Sequence, residues 1–417
     1  MTALDGQRAT ARIDGFTHGG EGVARVEGKA VFVPGTLPGE RVELEVVEDH
    51  PRWARARLVT VLEAADGRVT PPCPHADACG GCDLQHIAPA TQRELKTRVV
   101  REQLQRLGKL TDPPVTDCVA VGPDLGYRTH AQLHADAEGR LGYHRAASHE
   151  VVPVAVCPIL STTAQTVRAT VGDATGAVEV TVRGHDRTGA AAAVLRPGPG
   201  PLQVPDGRFD VQLEQPDGRT MAWRGDGTLQ ETVAGLTFRF DTSSFFQVSP
   251  EGAEAIVERV LAAAGDLTGT LVWDLYAGVG LLSLPLARAG AEVLAVEGHE
   301  PATRWCAANA AEAGLEVRVE HAAVLDLVRA VARGQRRELD PPDVVVLDPP
   351  RSGAGAKVLR DLAALGPARI VYVACDVAAL ARDARELTAL GYGLVRAEPL
   401  DLFPMTHHVE TVATFVR

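Results

Sequence analysis

The sequence lacks any apolar run long enough to cross a bilayer. Its longest uncharged apolar stretch, Leu275 to Ala287, is short and broken by glycines and Pro285, whereas a spanning helix needs about 20 consecutive apolar residues. The start, Met1 to Thr10, contains Asp5 and Arg8 and has no apolar core of a signal peptide. These absences predict a cytoplasmic protein with no membrane partner. Cysteines are few and odd in number, seven in 417 residues. That argues against a disulfide framework and for metal or catalytic use. Excess positive charge is also missing: the net charge is −12, which excludes nucleic-acid binding by bulk attraction but leaves room for a local basic groove. Lysine is nearly absent, at Lys29, Lys96, Lys109 and Lys357, a bias consistent with GC-rich coding and without functional content.

What is present is an ordinary globular balance, 45% hydrophobic and 23% charged, in a chain long enough for two or three domains. In residues 1–62, five short alternating segments separated by glycine turns (Arg12–Phe16, Gly22–Arg25, Ala30–Pro34, Arg41–Val47, Ala54–Leu62) predict a small OB-like β-barrel. Residues 63–240 read as a mixed α/β region. It opens with a cysteine cluster, followed by a helix from Pro89 to Gly108 carrying Arg93, Lys96, Arg98, Arg101 and Arg106 against Glu94 and Glu102. Such a charge run is either a solvated face or an RNA-facing one. Residues 241–417 alternate helices with apolar runs at Leu271–Leu275, Glu292–Glu297, Val344–Asp348 and Ile370–Cys375. Runs of that kind belong to a parallel sheet buried on both faces, so the fold class is a doubly wound, Rossmann-like α/β domain.

The first of these strands leads into Asp274-Leu275-Tyr276-Ala277-Gly278-Val279-Gly280. The third glycine of a dinucleotide fingerprint is missing, so a pyrophosphate cradle is not supported. Glu297 ends the next strand, where a carboxylate can accept hydrogen bonds from both hydroxyls of a ribose. An acidic glycine loop with a ribose-binding Glu and no phosphate cradle points to S-adenosylmethionine rather than NAD. Asp348-Pro349-Pro350-Arg351 has arginine where methyltransferases acting on amino groups usually carry an aromatic residue, and Cys375 closes the next strand. The pair favours methylation at a ring carbon. Carbon 5 of uracil becomes a nucleophile once a thiolate adds at carbon 6, and a base must then remove the carbon-5 proton. Cys375 and Glu410 suit those roles. Placed where a helix begins, Cys375 is expected to be stabilised as thiolate by the helix N-terminus, with Asp376 opposing.

Together with Phe245-Phe246-Gln247-Val248, Ala374-Cys375-Asp376 and His408-Val409-Glu410-Thr411, these motifs resemble the RNA uracil-5-methyltransferases over nearly the whole chain. The resemblance implies that Gln247, Tyr276, Glu297 and Asp348 contact S-adenosylmethionine, that Cys375 is the nucleophile and that Glu410 is the proton acceptor. The chain departs from the family pattern at Asp376, at Leu281, and at Met405, where a histidine is common. Gly20-Glu21-Gly22-Val23-Ala24-Arg25 and Val33-Pro34-Gly35 are similar to a TRAM domain, implying an RNA-binding barrel.

Cys73, Cys79 and Cys82 form C-x5-C-x2-C, and Cys157 before Pro158 supplies a fourth thiol. Four thiolates suit zinc or an iron–sulfur cluster, and the residues alone leave both open. The family resemblance implies a 4Fe-4S cluster, here structural. Cys118 and Cys306 have no partner at useful spacing and are expected to pack. The barrel and four cysteines resemble the ribosomal-RNA members, so the expected substrate is structured RNA, 23S rRNA ahead of tRNA, and the expected state a monomer. The alternatives are a tRNA uracil-5 or RNA cytosine-5 methyltransferase, or an inactive iron–sulfur RNA-binding protein.

Overall fold

The computed structural model describes residues 5–173 and 175–417. Near the N-terminus, strands Arg8–Phe16, Gly22–Val26, Lys29–Val33, Arg41–Asp49 and Trp53–Glu63 form a closed barrel. Alternation sends Ile13, Ala24, Val31, Val33, Val42, Leu44 and Ala54 inward, where they form a core of their own. Closure leaves the barrel without a free edge.

The C-terminal domain is built on an eight-stranded sheet in the order Val317–His321, Glu292–Glu297, Leu271–Leu275, Val344–Leu347, Arg369–Ala374, Glu410–Val416, Gly393–Asp401, Val119–Ala120. The first five strands are parallel. Winding reverses between Leu271–Leu275 and Val344–Leu347, and in such sheets ligands bind beyond the carboxyl ends of the strands at that point. Asp274, Glu297, Asp348 and Cys375 all fall at this edge. Glu410–Val416 runs antiparallel to Arg369–Ala374 with Ala374 opposite Thr411, so its first residue lies at the same edge. Antiparallel register therefore brings Glu410 beside Cys375.

Between barrel and C-terminal sheet, a seven-stranded sheet in the order Thr220–Arg224, Asp210–Glu214, Ala191–Pro197, Ala177–Gly184, His130–Ala135, Leu141–His144, Val151–Pro153 is covered by helix Thr162–Val171. Two pieces of the expected central region pack elsewhere. The hairpin Thr228–Val233/Leu236–Asp241 buries Phe238 and Phe240 against the C-terminal sheet. Helix Pro89–Arg106 adds Leu95, Val99, Val100 and Leu104 to the core on that sheet's other face.

The basic face expected on this helix is largely paired within the protein. Lys96, 2% exposed, donates to Asp401 (2.6 Å) and to the Phe403 carbonyl (3.1 Å). Arg93 lies 3.5 Å from Asp124, Arg98 lies 3.5 Å from Glu102, and Arg101 donates to the Val115 carbonyl. Docking takes up Lys96 and part of the helix's charge, while Arg106 stays exposed. Charge counting along the helix could not show the acids that meet it from distant segments.

Candidate active site

Gln247, Tyr276, Glu297, Asp348, Cys375 and Glu410 all line one cavity of about 870 Å³. The loop after Leu271–Leu275 turns sharply: Tyr276 has φ 66°, Gly278 57° and Gly280 94°. At Gly280 a Cβ would come within 2.6 Å of Leu284 and 3.0 Å of the Cys306 sulfur, so the backbone must pass where no side chain fits. At Gly278 the space a Cβ would take is open. The Gly278 N–H donates to Glu297 Oε2 (2.9 Å) and the His299 N–H to Oε1 (2.7 Å). These bonds orient the carboxylate, and each oxygen keeps a lone pair for a further donor.

The acids of the site are crowded. Asp274 is fully buried, accepts from the Ser283 hydroxyl, and is pushed up to about 7 chiefly by burial. Asp348 is raised to about 7 by burial and by Asp274. Glu410, 2% exposed, is raised well above the carboxylate range by burial and by Asp348. One oxygen each of Asp274 (Oδ1) and Glu410 (Oε1) is buried without a hydrogen-bond partner among the described residues. Of these two oxygens the Glu410 one belongs to the cavity wall, and an orphaned acceptor there, with carboxyl groups pressed together, suits a ligand carrying donors and a positive charge. S-adenosylmethionine, with its ribose hydroxyls, amine and sulfonium, fits that description.

For Cys375 the expectation of a pre-formed thiolate is corrected. The helix after it, Val377–Ala389, is capped by Asp376, whose side chain accepts from the Ala379 N–H (2.7 Å). The cysteine lies outside the first turn, and its thiol is pushed up to about 11 by burial, then by Glu410 and Asp348; Arg351 acts in the opposite sense. Asp376 is thus a helix cap, and the opposing charges come from acids distant in sequence. Arg351 lines the cavity. His408 also lines it, with its pKa lowered to about 4 by burial first and then by the neighbouring His407 and Arg351.

Cys73, Cys79, Cys82 and Cys157 are free thiols on the wall of this same cavity. Burial raises Cys79 and pushes Cys82 up to about 12, with charges on the other cluster cysteines adding to each. The tertiary fold therefore brings residues far apart in sequence beside the proposed reaction centre. Among the described residues, however, no group of three or more His, Cys, Asp or Glu is arranged to hold a metal ion. The donor set suits a thiolate-bound metal or cluster, while the arrangement is not a closed ligand shell. Cys118 and Cys306 are buried in the core, as packing requires.

Sequence reasoning missed Asp83, His407 and Ser283 as neighbours of the site. Asp83 and His407 carry no local signal, since they pair across 324 residues of chain. Ser283 was findable in principle as the polar residue following the glycine loop.

Residues 3–59 match the TRAM domain family, and residues 226–417 match the tRNA (uracil-5-)-methyltransferase family. The chain is 37% identical to an uncharacterized RNA methyltransferase of Streptomyces avermitilis, covering 98% of both chains. It is 34% identical to the 23S rRNA (uracil(1939)-C(5))-methyltransferase RlmD of Azoarcus sp., over 98% of this chain and 99% of the relative. Among solved structures, the Pyrococcus abyssi tRNA (uracil-54, C5)-methyltransferase in complex with S-adenosyl-L-homocysteine superposes with a TM-score of 0.77. The match has 23% identity and covers 98% of this chain and 100% of that one, so it bears on the fold alone.

Proposed function

From the premise that this chain belongs to the S-adenosylmethionine-dependent RNA (uracil-5-)-methyltransferases, with a TRAM domain ahead of the catalytic one, we propose that it methylates carbon 5 of a uridine in 23S rRNA through a covalent Cys375–uracil intermediate. The observation that carries this reading is the register of Arg369–Ala374 against Glu410–Val416. It brings Cys375 and Glu410 together on the cavity that also holds Gln247, Tyr276, Glu297 and Asp348.

S-adenosylmethionine supplies an electrophilic methyl group on a sulfonium. Glu297, already oriented by Gly278 and His299, takes the ribose hydroxyls; Gln247, Tyr276 and Asp348 complete the binding face. The Cys375 thiolate adds to carbon 6 of a uracil flipped out of its stack, and the electron pair moves onto carbon 5 and the O4 enolate. Carbon 5 forms its bond to the methyl group as the methyl–sulfur bond breaks, the sulfonium's electron pair returning to sulfur and S-adenosylhomocysteine leaving. The Glu410 carboxylate then takes the carbon-5 proton, and the carbon–sulfur bond breaks to release 5-methyluridine and the thiolate. Burial and neighbouring acids raise the pKa of both Glu410 and Cys375. A positive charge in the site, with Arg351 nearby, favours the ionised forms that the chemistry uses.

Replacing Cys375 by alanine is expected to cut methyl transfer at least about a thousandfold and to abolish any RNA adduct. Glu410→Gln is expected to accumulate a methylated adduct stable on a denaturing gel. A Cys375→Ala protein with full activity would sink the covalent route. Labelled-methyl transfer to separated ribosomal RNA and tRNA tests the substrate, with label in 23S rRNA expected. Support for 23S rRNA comes from the full-length relative that carries that activity in its name.

The four cysteines, Cys73, Cys79, Cys82 and Cys157, are proposed to hold a 4Fe-4S cluster. Their all-thiol donor set and shared cavity wall support it. Anaerobic purification should give protein with about four iron and four sulfide per chain; stoichiometric zinc without sulfide would overturn the assignment.

A further inference from the structure

Three segments that the reaction as described does not use meet at the rim of the cavity. They are the barrel turn at Thr17–Gly20, the end of the cysteine loop at Cys82–Leu84, and the loop at Phe403–His408 that leads into Glu410. Asp83 and His407 stand at their centre. The His407 N–H donates to Asp83 Oδ1 (2.8 Å), and the His407 ring Nδ1 pairs with Asp83 Oδ2. Gly20, at φ 80°, passes so close that a Cβ there would lie 3.0 Å from both Asp83 Oδ2 and the His407 Cβ. The barrel backbone thus closes over the pair.

The same junction restrains the backbone before Glu410. Met405 has φ 69°, a left-handed conformation that a long side chain rarely adopts. Such a residue persists only where its surroundings over-determine it. Here the Asp83 and Leu84 N–H groups both donate to the Met405 carbonyl (3.2 and 3.0 Å), and the Met405 N–H donates to Gln92 Oε1 (2.9 Å). Its side chain is buried with Tyr127 and Ile159 against Cys82 and Cys157. The His407 ring lies 4.2 Å from that of His408 on the cavity wall, and 6.3 Å from that of His18. His18 Nε2 in turn lies 3.7 Å from Asp376, the residue after Cys375.

Glu410 needs such restraint. Its Oε1 has no hydrogen-bond partner among the described residues, so nothing within hydrogen-bonding reach of that oxygen aims it. The backbone that carries Glu410 must do so. We propose that the Asp83–His407 pair is a positioning device for the proton-removal step: it holds the Met405–Glu410 segment in its strained conformation and ties it to the barrel turn and the cysteine loop. His407 is a positioning residue. It touches none of the reacting atoms. The inference rests on the covalent route proposed above.

The test uses the full-length protein and an RNA transcript that the wild type methylates, carrying tritium at carbon 5 of uracil. Methyl incorporation reports thiolate addition and methyl transfer; tritium release reports proton removal. In His407→Ala, tritium release should fall roughly tenfold or more while methyl incorporation into a gel-stable adduct continues. His407→Asn, which keeps a side-chain N–H for Asp83, should restore most of the release. Methyl incorporation and tritium release falling in parallel, or neither changing, would overturn the proposal. If His407→Ala does not fold, Gly20→Ala decides: by pressing the barrel turn on the pair it should give the same partition, and wild-type partition would overturn the proposal. Glu410→Gln is the reference. If it traps an adduct and His407→Ala does not, only this inference fails; if it traps none, the covalent route fails with it.

Discussion

At the scale of single residues, burial and neighbouring acids raise the pKa of both Cys375 and Glu410. Cys375, at about 11, carries little thiolate at neutral pH, and its reactivity should rise about tenfold per pH unit below that value. Site-resolved mass spectrometry after iodoacetamide treatment checks this. Slow alkylation of Cys375 at pH 7 and a steep rise toward pH 10 are expected, with a faster reaction in Glu410→Gln, where the opposing carboxylate is gone. Asp274 carries a stability consequence. Its folded pKa, about 7, lies above the ordinary aspartate value of 3.8. The folded state therefore binds the proton more tightly, and this group's stabilising contribution is present below about 3.8 and lost as pH rises through about 7. Asp274→Asn should raise the Tm of the unliganded protein by about a few degrees at pH 8.5 and by little at pH 5. An equal shift at both pH values would contradict the burial argument.

At the scale of elements, helix Pro89–Arg106 shows why charge along a helix is a weak guide. Lys96 and Asp401 are 2% and 2% exposed and 2.6 Å apart, so screening by water is slight. Lys96→Ala should destabilise by about 3–5 kcal/mol in urea unfolding, because it leaves a buried carboxylate short of its partner. Lys96→Met with Asp401→Leu should recover much of the loss. A cost below about 1 kcal/mol for the single change would mean that Arg93, 3.8 Å from Asp401, takes over. The buried parallel strands were readable as unbroken apolar runs. Val317–His321 and Gly393–Asp401 were not: they lie toward the sheet's edges and mix charged with apolar residues. The seven-stranded sheet was blurred in the sequence by its many glycine, proline and aspartate turns.

At the scale of the whole molecule, the barrel has its own core and about the minimum size at which a core suffices. Native-state hydrogen exchange should find its strands opening at lower free energy than Leu271–Leu275, Val344–Leu347 and Arg369–Ala374. A common opening energy would mean that the Asp83–His407 junction makes barrel and catalytic domain one cooperative unit. No helix among the described residues is long and apolar enough to cross a membrane. The cavity is a product of this scale as well. Its walls come from the cysteine loop, the central sheet and the C-terminal domain together.

The sequence by itself determined the chemistry-bearing motifs, because each is local: a glycine loop after a strand, an acid at a strand end, a cysteine before a helix cap. It also determined the barrel and the doubly wound sheet, through hydrophobic periods of two and through buried runs. Only the tertiary structure decided the direction of the Cys375 pKa, since burial and the distant acids Glu410 and Asp348 raise it against the helix start that the local sequence displays. Only it decided that the basic helix docks inward, that four remote cysteines share the catalytic cavity, and that Asp83 meets His407. Those outcomes depend on which surfaces are removed from water together, and that is a property of packing between segments hundreds of residues apart.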